Sequence, residues 1–136
     1  MLRVIYGEKG AGKTKRILDE SNGLLSTAKG TIVFIDDDKS NSRQINYQIR
    51  FIDASEYSID SPKMFYGFIC GIAAQDFDLE AIYIDGFRKI VRHDLKSLED
   101  LFISLEKFSE KFNITITIAI SAQYDKAPAF LEKYIV

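Results

Sequence analysis

Leu2-Arg3-Val4-Ile5-Tyr6 runs directly into Gly7-Glu8-Lys9-Gly10-Ala11-Gly12-Lys13-Thr14, an octapeptide that fits G-x-x-x-x-G-K-[ST] at every fixed position. Glycines matter here because backbone can wrap an anion only where side chains do not intrude. Gly7, Gly10 and Gly12 supply such bare, conformationally free backbone. A helix is predicted to open near Lys13, so that its unpaired amides and a dipole of roughly half a positive charge face the same anion. In a loop of this kind Lys13 bridges β- and γ-phosphate oxygens and the Thr14 hydroxyl ligates Mg²⁺. The surroundings agree with that reading. The residues before the loop are apolar and β-branched enough for a buried strand, and Lys15-Arg16-Ile17-Leu18-Asp19-Glu20 after it has helix-forming composition. All eight residues from Gly7 to Thr14, with Glu8, Lys9 and Ala11 between the glycines, are therefore candidate nucleotide contacts.

Outward from the loop, strand and helix patterns alternate. The first helix is predicted to reach Ala28 and stop at Gly30, and Thr31-Ile32-Val33-Phe34-Ile35 reads as a second buried strand ending in Asp36-Asp37-Asp38. A helical turn is expected around residues 44–47, and Arg50-Phe51-Ile52-Asp53 reads as a short edge strand. Ser61-Pro62 offers an N-cap with proline at the first helical position, followed by Met64, Phe65, Phe68, Ile69 and Ile72 at helical spacing. Ala81-Ile82-Tyr83-Ile84 is the next strand, ending at Asp85-Gly86. Leu95, Leu98, Leu101, Phe102, Leu105, Phe108 and Phe112 form an apolar stripe that predicts a helix over 94–112. Residues 114–120 give a last strand, in which isoleucine alternates with threonine, and a short helix is expected after Pro128. This rhythm predicts an α/β fold: a three-layer α/β/α arrangement around a mostly parallel sheet of about five strands, formed by one domain over residues 1–136. Ligands in such sheets bind beyond the carboxyl ends of the strands. The glycine loop, Asp36–Asp38, Asp85 and residues 121–123 are thus expected at one rim.

The net charge of −2 and a pI near 5.4 give no global basic field, so nothing advertises nucleic acid or an anionic membrane. The sequence enters a strand pattern at once, without a signal pattern, and has no apolar run of transmembrane length, from which a cytoplasmic protein is expected. Cys70 is the single cysteine. Disulfides within the chain and thiolate metal sites are excluded, and Cys70 is expected to be an inert core thiol.

Asp85 closes an apolar run in the pattern of a Walker B aspartate, which holds Mg²⁺ through a water while the loop threonine holds it directly. Its alternative role is to cap the strand-to-helix turn at Asp85-Gly86. At the second strand the chain resembles the RecA-type P-loop ATPases, whose corresponding strand ends Phe-Ile-Asp-Ala-Glu where this sequence has Phe34-Ile35-Asp36-Asp37-Asp38. Their Walker B aspartate is followed by serine, and here by Gly86. The resemblance implies that Asp38 stands for the water-positioning glutamate and that Gln123, or else Ser121, reads the γ-phosphate. It also implies that the last strand sits between the P-loop strand and the Asp85 strand. Aspartate is one methylene shorter than glutamate, and no segment corresponds to the family's DNA-binding loops or polymerisation arm, so the resemblance carries a hydrolytic layout and not recombination. The three aspartates also read as a solvated turn.

The sequence therefore predicts Mg²⁺-dependent ATP binding with slow hydrolysis, Lys13, Asp38 and Gln123 being catalytic and Thr14 and Asp85 holding the metal. ATP is favoured over GTP because no N/TKxD guanine signature occurs. The alternatives are a non-hydrolysing nucleotide-dependent switch acting on a protein partner, and phosphoryl transfer to a small acceptor. Efficient turnover is expected to need a protein partner or self-association, with Arg88 or Arg92 as candidate arginine fingers toward a neighbouring subunit. His93 reads as an exposed residue at a helix start.

Overall fold

Among the described residues, 1–122 and 126–136 of a computed structural model, five strands form one sheet: β1 (Leu2–Gly7), β2 (Thr31–Asp36), β3 (Arg50–Asp53), β4 (Leu79–Ile84) and β5 (Thr115–Ser121). All neighbours pair in parallel, in the order β1-β5-β4-β2-β3. The last strand thus lies between the glycine-loop strand and the Asp85 strand, and β3 is at an edge, both as expected.

Alternation along the strands divides the apolar side chains between two faces. Val4, Val33, Ile35, Ile82, Ile84, Ile116 and Ile118 turn to one, where they meet α2 (Pro62–Ala74), α3 (Phe87–Val91) and α4 (Glu99–Phe112). Ile5, Ile32, Phe34, Ala81, Tyr83 and Ala119 turn to the other, where α1 (Lys13–Leu24) contributes Ile17 and Leu18. The segment after β2 adds Ile45 and Ile49 to that second cluster. Helices therefore flank both faces of the sheet. The same alternation positions the site, because it carries Asp36 and Asp85 onto the α1 face at the carboxyl rim, where the glycine loop opens.

Local differences from the sequence expectation have local causes. Helix α1 ends at Leu24, and residues 25–28 continue only as tight turns, with the Ala28 amide on the Leu24 carbonyl at 2.8 Å. The stripe assigned to one helix over 94–112 is split. A 3-10 turn over Leu95–Ser97, capped by the Asp94 carboxylate on the Lys96 amide, precedes α4. Leu95 and Leu98 are buried from this turn, since a spacing of three lines one face of a 3-10 turn as well as of an α-helix. The short α3 was not foreseen; Gly86 opens it at φ +67° and Arg92 closes it at φ +59°. His93 is exposed as expected, but on the connection after α3 and not at a helix start.

Helix α2 begins as read, with the Ser61 hydroxyl accepting from the Met64 amide at 3.2 Å and Pro62 as its first residue. The turn expected near 44–47 is a 3-10 turn over Ser42–Gln44, and a 3-10 helix over Ala129–Tyr134 follows Pro128. Cys70 is half-buried, not a core thiol. No described helix is long and apolar enough to cross a membrane.

Candidate functional site

Gly10 and Gly12 both have φ near +85°, with open space where a side chain would stand. A left-handed backbone costs an L-residue about 1–2 kcal/mol, which explains glycine at these two positions. Gly7 is different: it ends β1, and an added Cβ would meet the Ala11 Cβ at an ordinary 3.6 Å. No side chain caps the N-terminus of α1 at Gly12, so its first-turn amides are left for an anion. The Lys13 ammonium lies back on its own loop, donating to the Glu8 carbonyl at 2.6 Å.

The Thr14 hydroxyl donates to Asp85 Oδ2 at 2.9 Å, joining residues 71 positions apart. The other oxygen of Asp85, Oδ1, accepts from the Gly86 amide at 2.9 Å. The turn-capping reading of Asp85 is thus realised by one carboxylate oxygen, while the other faces the loop threonine. A threonine hydroxyl and a carboxylate are hard oxygen donors of the kind Mg²⁺ takes, so the residues fit that ion.

The acidic arm stands opposite the loop. Asp36, 1% exposed, has Oδ1 on the Asp37 amide at 2.8 Å and Oδ2 on the Asn41 side-chain amide at 3.1 Å. Burial, the Asp37 carboxyl bonded to it and the charge of Asp85 together raise its pKa from 3.8 to about 7. Asp37 packs against Gly86, where an added Cβ would lie 2.6 Å from the Asp37 Cγ, and pairs with Lys89 at 3.8 Å. Asp38 is exposed. Its Oδ1 accepts from the Ser40 hydroxyl at 2.6 Å and the Ser40 amide at 2.9 Å, which hold the carboxyl below its usual range and so ionised. Sequence reasoning grouped Asp36 with its neighbours without assigning it a role; only strand alternation distinguishes the buried member of three identical residues.

Asp36 gives the nucleotide-free protein a distinct pH response. Its folded-state pKa lies above the unfolded value, so the folded state binds the extra proton between pH 4 and 7 and stability falls as pH rises through that window. The loss is expected to reach up to about 4 kcal/mol and to level off above pH 7. Denaturant unfolding at pH 5 and pH 8 checks this: Asp36→Asn should remove most of the difference, and an equal slope in both proteins would refute it.

Loop and acidic arm enclose a cleft of about 720 Å³, also lined by Arg88, Lys89 and Ser121. The structure thus gathers Lys9, Gly10, Gly12, Lys13, Thr14, Asp38 and Asp85 at one place. Arg92 is not in the lining; its Nε donates to the Lys89 carbonyl at 3.1 Å on the exposed surface. Gln123 lies outside the described residues. No family model matches this sequence, and a search of curated proteins finds no match.

Proposed function

We propose that the chain is a RecA-like P-loop domain that binds ATP with Mg²⁺ and hydrolyses it slowly. The observation that carries this reading is the Thr14–Asp85 hydrogen bond beneath the glycine loop, which places the two expected metal-holding groups side by side. Strand order supports it as well, since β5 separates β1 from β4, whereas the kinase–GTPase branch of P-loop proteins sets those two strands adjacent.

On this reading the loop amides and the first turn of α1 bind the phosphates, and Lys13 exchanges the Glu8 carbonyl for β- and γ-phosphate oxygens. Thr14 and Asp85 hold Mg²⁺, which when bound neutralises charge on the β- and γ-phosphates. Asp38 orients a water with the carboxylate oxygen not engaged by Ser40. That water's oxygen bonds to the γ-phosphorus as the bond to the bridging oxygen breaks, ADP leaves with the electron pair, and the water's proton moves toward Asp38. Turnover is slow because Asp38 is exposed, so the attacking water is poorly shielded from bulk solvent, and because Ser40 occupies one of its two oxygens. Gln123 is proposed to read the γ-phosphate.

A second reading, a switch without hydrolysis, is favoured by one feature. The segment after the aspartates is clamped to α1 through Asn22, whose side-chain amide donates to the Gln44 carbonyl at 2.8 Å and whose oxygen accepts from the Asn46 amide at 2.9 Å. A change at the acidic arm would thus reach the segment packed on α1 and be offered to a partner protein.

Phosphate release separates the two. Asp38→Asn should lower it about a hundredfold with ATP affinity retained, the scale of a lost water-orienting base. Unchanged release in that variant overturns the role of Asp38, and wild-type binding without any release selects the switch.

A further inference from the structure

Arg88 is half-buried on α3 and lines the same cleft as Lys13, Thr14 and Asp85. A guanidinium withdrawn from water ordinarily has a carboxylate partner. Among the described residues Arg88 has none within ion-pair distance, although the cleft is lined by four aspartates. Its one hydrogen bond among the described residues is long, from Nη1 to the Ser121 carbonyl at 3.5 Å. The other cations nearby are differently engaged: Lys89 pairs with Asp37 on the exposed side, and Arg92 is held on the Lys89 carbonyl outside the cleft.

From this we infer that Arg88 acts within its own subunit, binding the terminal phosphate of the nucleotide and making the site discriminate triphosphate from diphosphate. The inference rests on the nucleotide reading of the cleft and goes beyond it. It assigns the charge that the P-loop does not supply, and it replaces a finger reaching toward a neighbouring copy. Lys13 and the loop amides cover the phosphates from the loop side. Arg88 lines the same cleft from α3, the helix that follows Asp85, and on this inference its charge meets the γ-phosphate, the one group a triphosphate has and a diphosphate lacks. A planar guanidinium suits that role because it donates two parallel hydrogen bonds to phosphate oxygens without being deprotonated. The arrangement also explains the glycine after Asp85. Gly86 adopts the left-handed turn that starts α3 immediately, the helix from which Arg88 joins the lining of the cleft.

The test is isothermal titration with Mg²⁺-ADP and with the Mg²⁺ complex of the β,γ-imido analogue of ATP, on wild type, Arg88→Gln, Arg92→Gln and Lys13→Ala. Glutamine keeps a donor for the Ser121 carbonyl, so a merely structural role would survive the change. Arg88→Gln should weaken the triphosphate analogue about tenfold or more while leaving ADP within about threefold, as expected for loss of a charged donor to one phosphate. Arg92→Gln should alter neither. Equal weakening of both ligands, or no change in either, would overturn the assignment of Arg88 to the terminal phosphate. Wild-type protein that binds neither ligand, indistinguishable from Lys13→Ala, would overturn the nucleotide reading itself and this inference with it.

Discussion

Lys13→Ala should weaken ATP binding by about a hundredfold or more while leaving the nucleotide-free fold intact. Among the described residues the ammonium has one hydrogen-bond partner, the carbonyl of Glu8, so its removal costs the free protein little, within about 0.5 kcal/mol for a substitution of this kind. In the complex the same group would make charge-assisted bonds to two phosphates, each worth roughly 1.5–3 kcal/mol. The variant therefore separates binding from folding. Unchanged unfolding in the absence of nucleotide, combined with lost thermal stabilisation by ATP, is the expected pair of results. Retained affinity would take the glycine loop out of the account.

The largest effect on stability is expected from Phe102→Ala. This ring is fully buried on α4, 5.7 Å from Phe87, 5.7 Å from Phe130 and 6.1 Å from Tyr134 between centroids. Truncating it empties the centre of the cluster beneath α3, at a cost of roughly 3–5 kcal/mol, which is a large fraction of the stability of a typical domain. Urea unfolding should show the midpoint falling with the slope unchanged. A loss below about 1 kcal/mol would mean that the neighbouring rings collapse into the space and that Phe102 is not the centre of this packing. Phe87 shares the packing and lies two residues after Asp85, so the same variant should loosen the helix that carries Arg88.

What the sequence discloses, and what it hides, follows from the kind of signal each element carries. The strands were legible because isoleucine, valine and threonine alternate in runs bounded by Gly30, Asp85 and Ser121, and both faces of the sheet needed apolar residues. The start of α2 was legible in Ser61-Pro62, where side-chain chemistry fixes the cap. The region 86–98 was not. Its two glycine-like left-handed turns, at Gly86 and Arg92, include one at a residue that rarely adopts that backbone, and Leu95 and Leu98 mimic a helical stripe from a 3-10 turn.

The site divides in the same way. The glycine loop is a contiguous motif and was complete in the sequence. The partnership of Thr14 with Asp85 needed only the end of an apolar strand to be noticed. The differing roles of Asp36, Asp37 and Asp38 are invisible in three identical letters, because they depend on which side of β2 each residue leaves the sheet. Arg88 reads in the sequence as a candidate finger toward a neighbouring subunit, because nothing there shows that α3 sets it in the lining of its own cleft.

The most direct test of the central claim is a thermal-stability titration of the wild-type protein with ATP, in the presence and absence of Mg²⁺. If Thr14 and Asp85 hold the metal beneath a bound triphosphate, ATP with Mg²⁺ should stabilise the protein by about 2.7 kcal/mol at a concentration a hundredfold above Kd. Omitting Mg²⁺ should move the whole curve to higher ATP concentration. No stabilisation at any ATP concentration, or the same curve with and without Mg²⁺, would contradict the account.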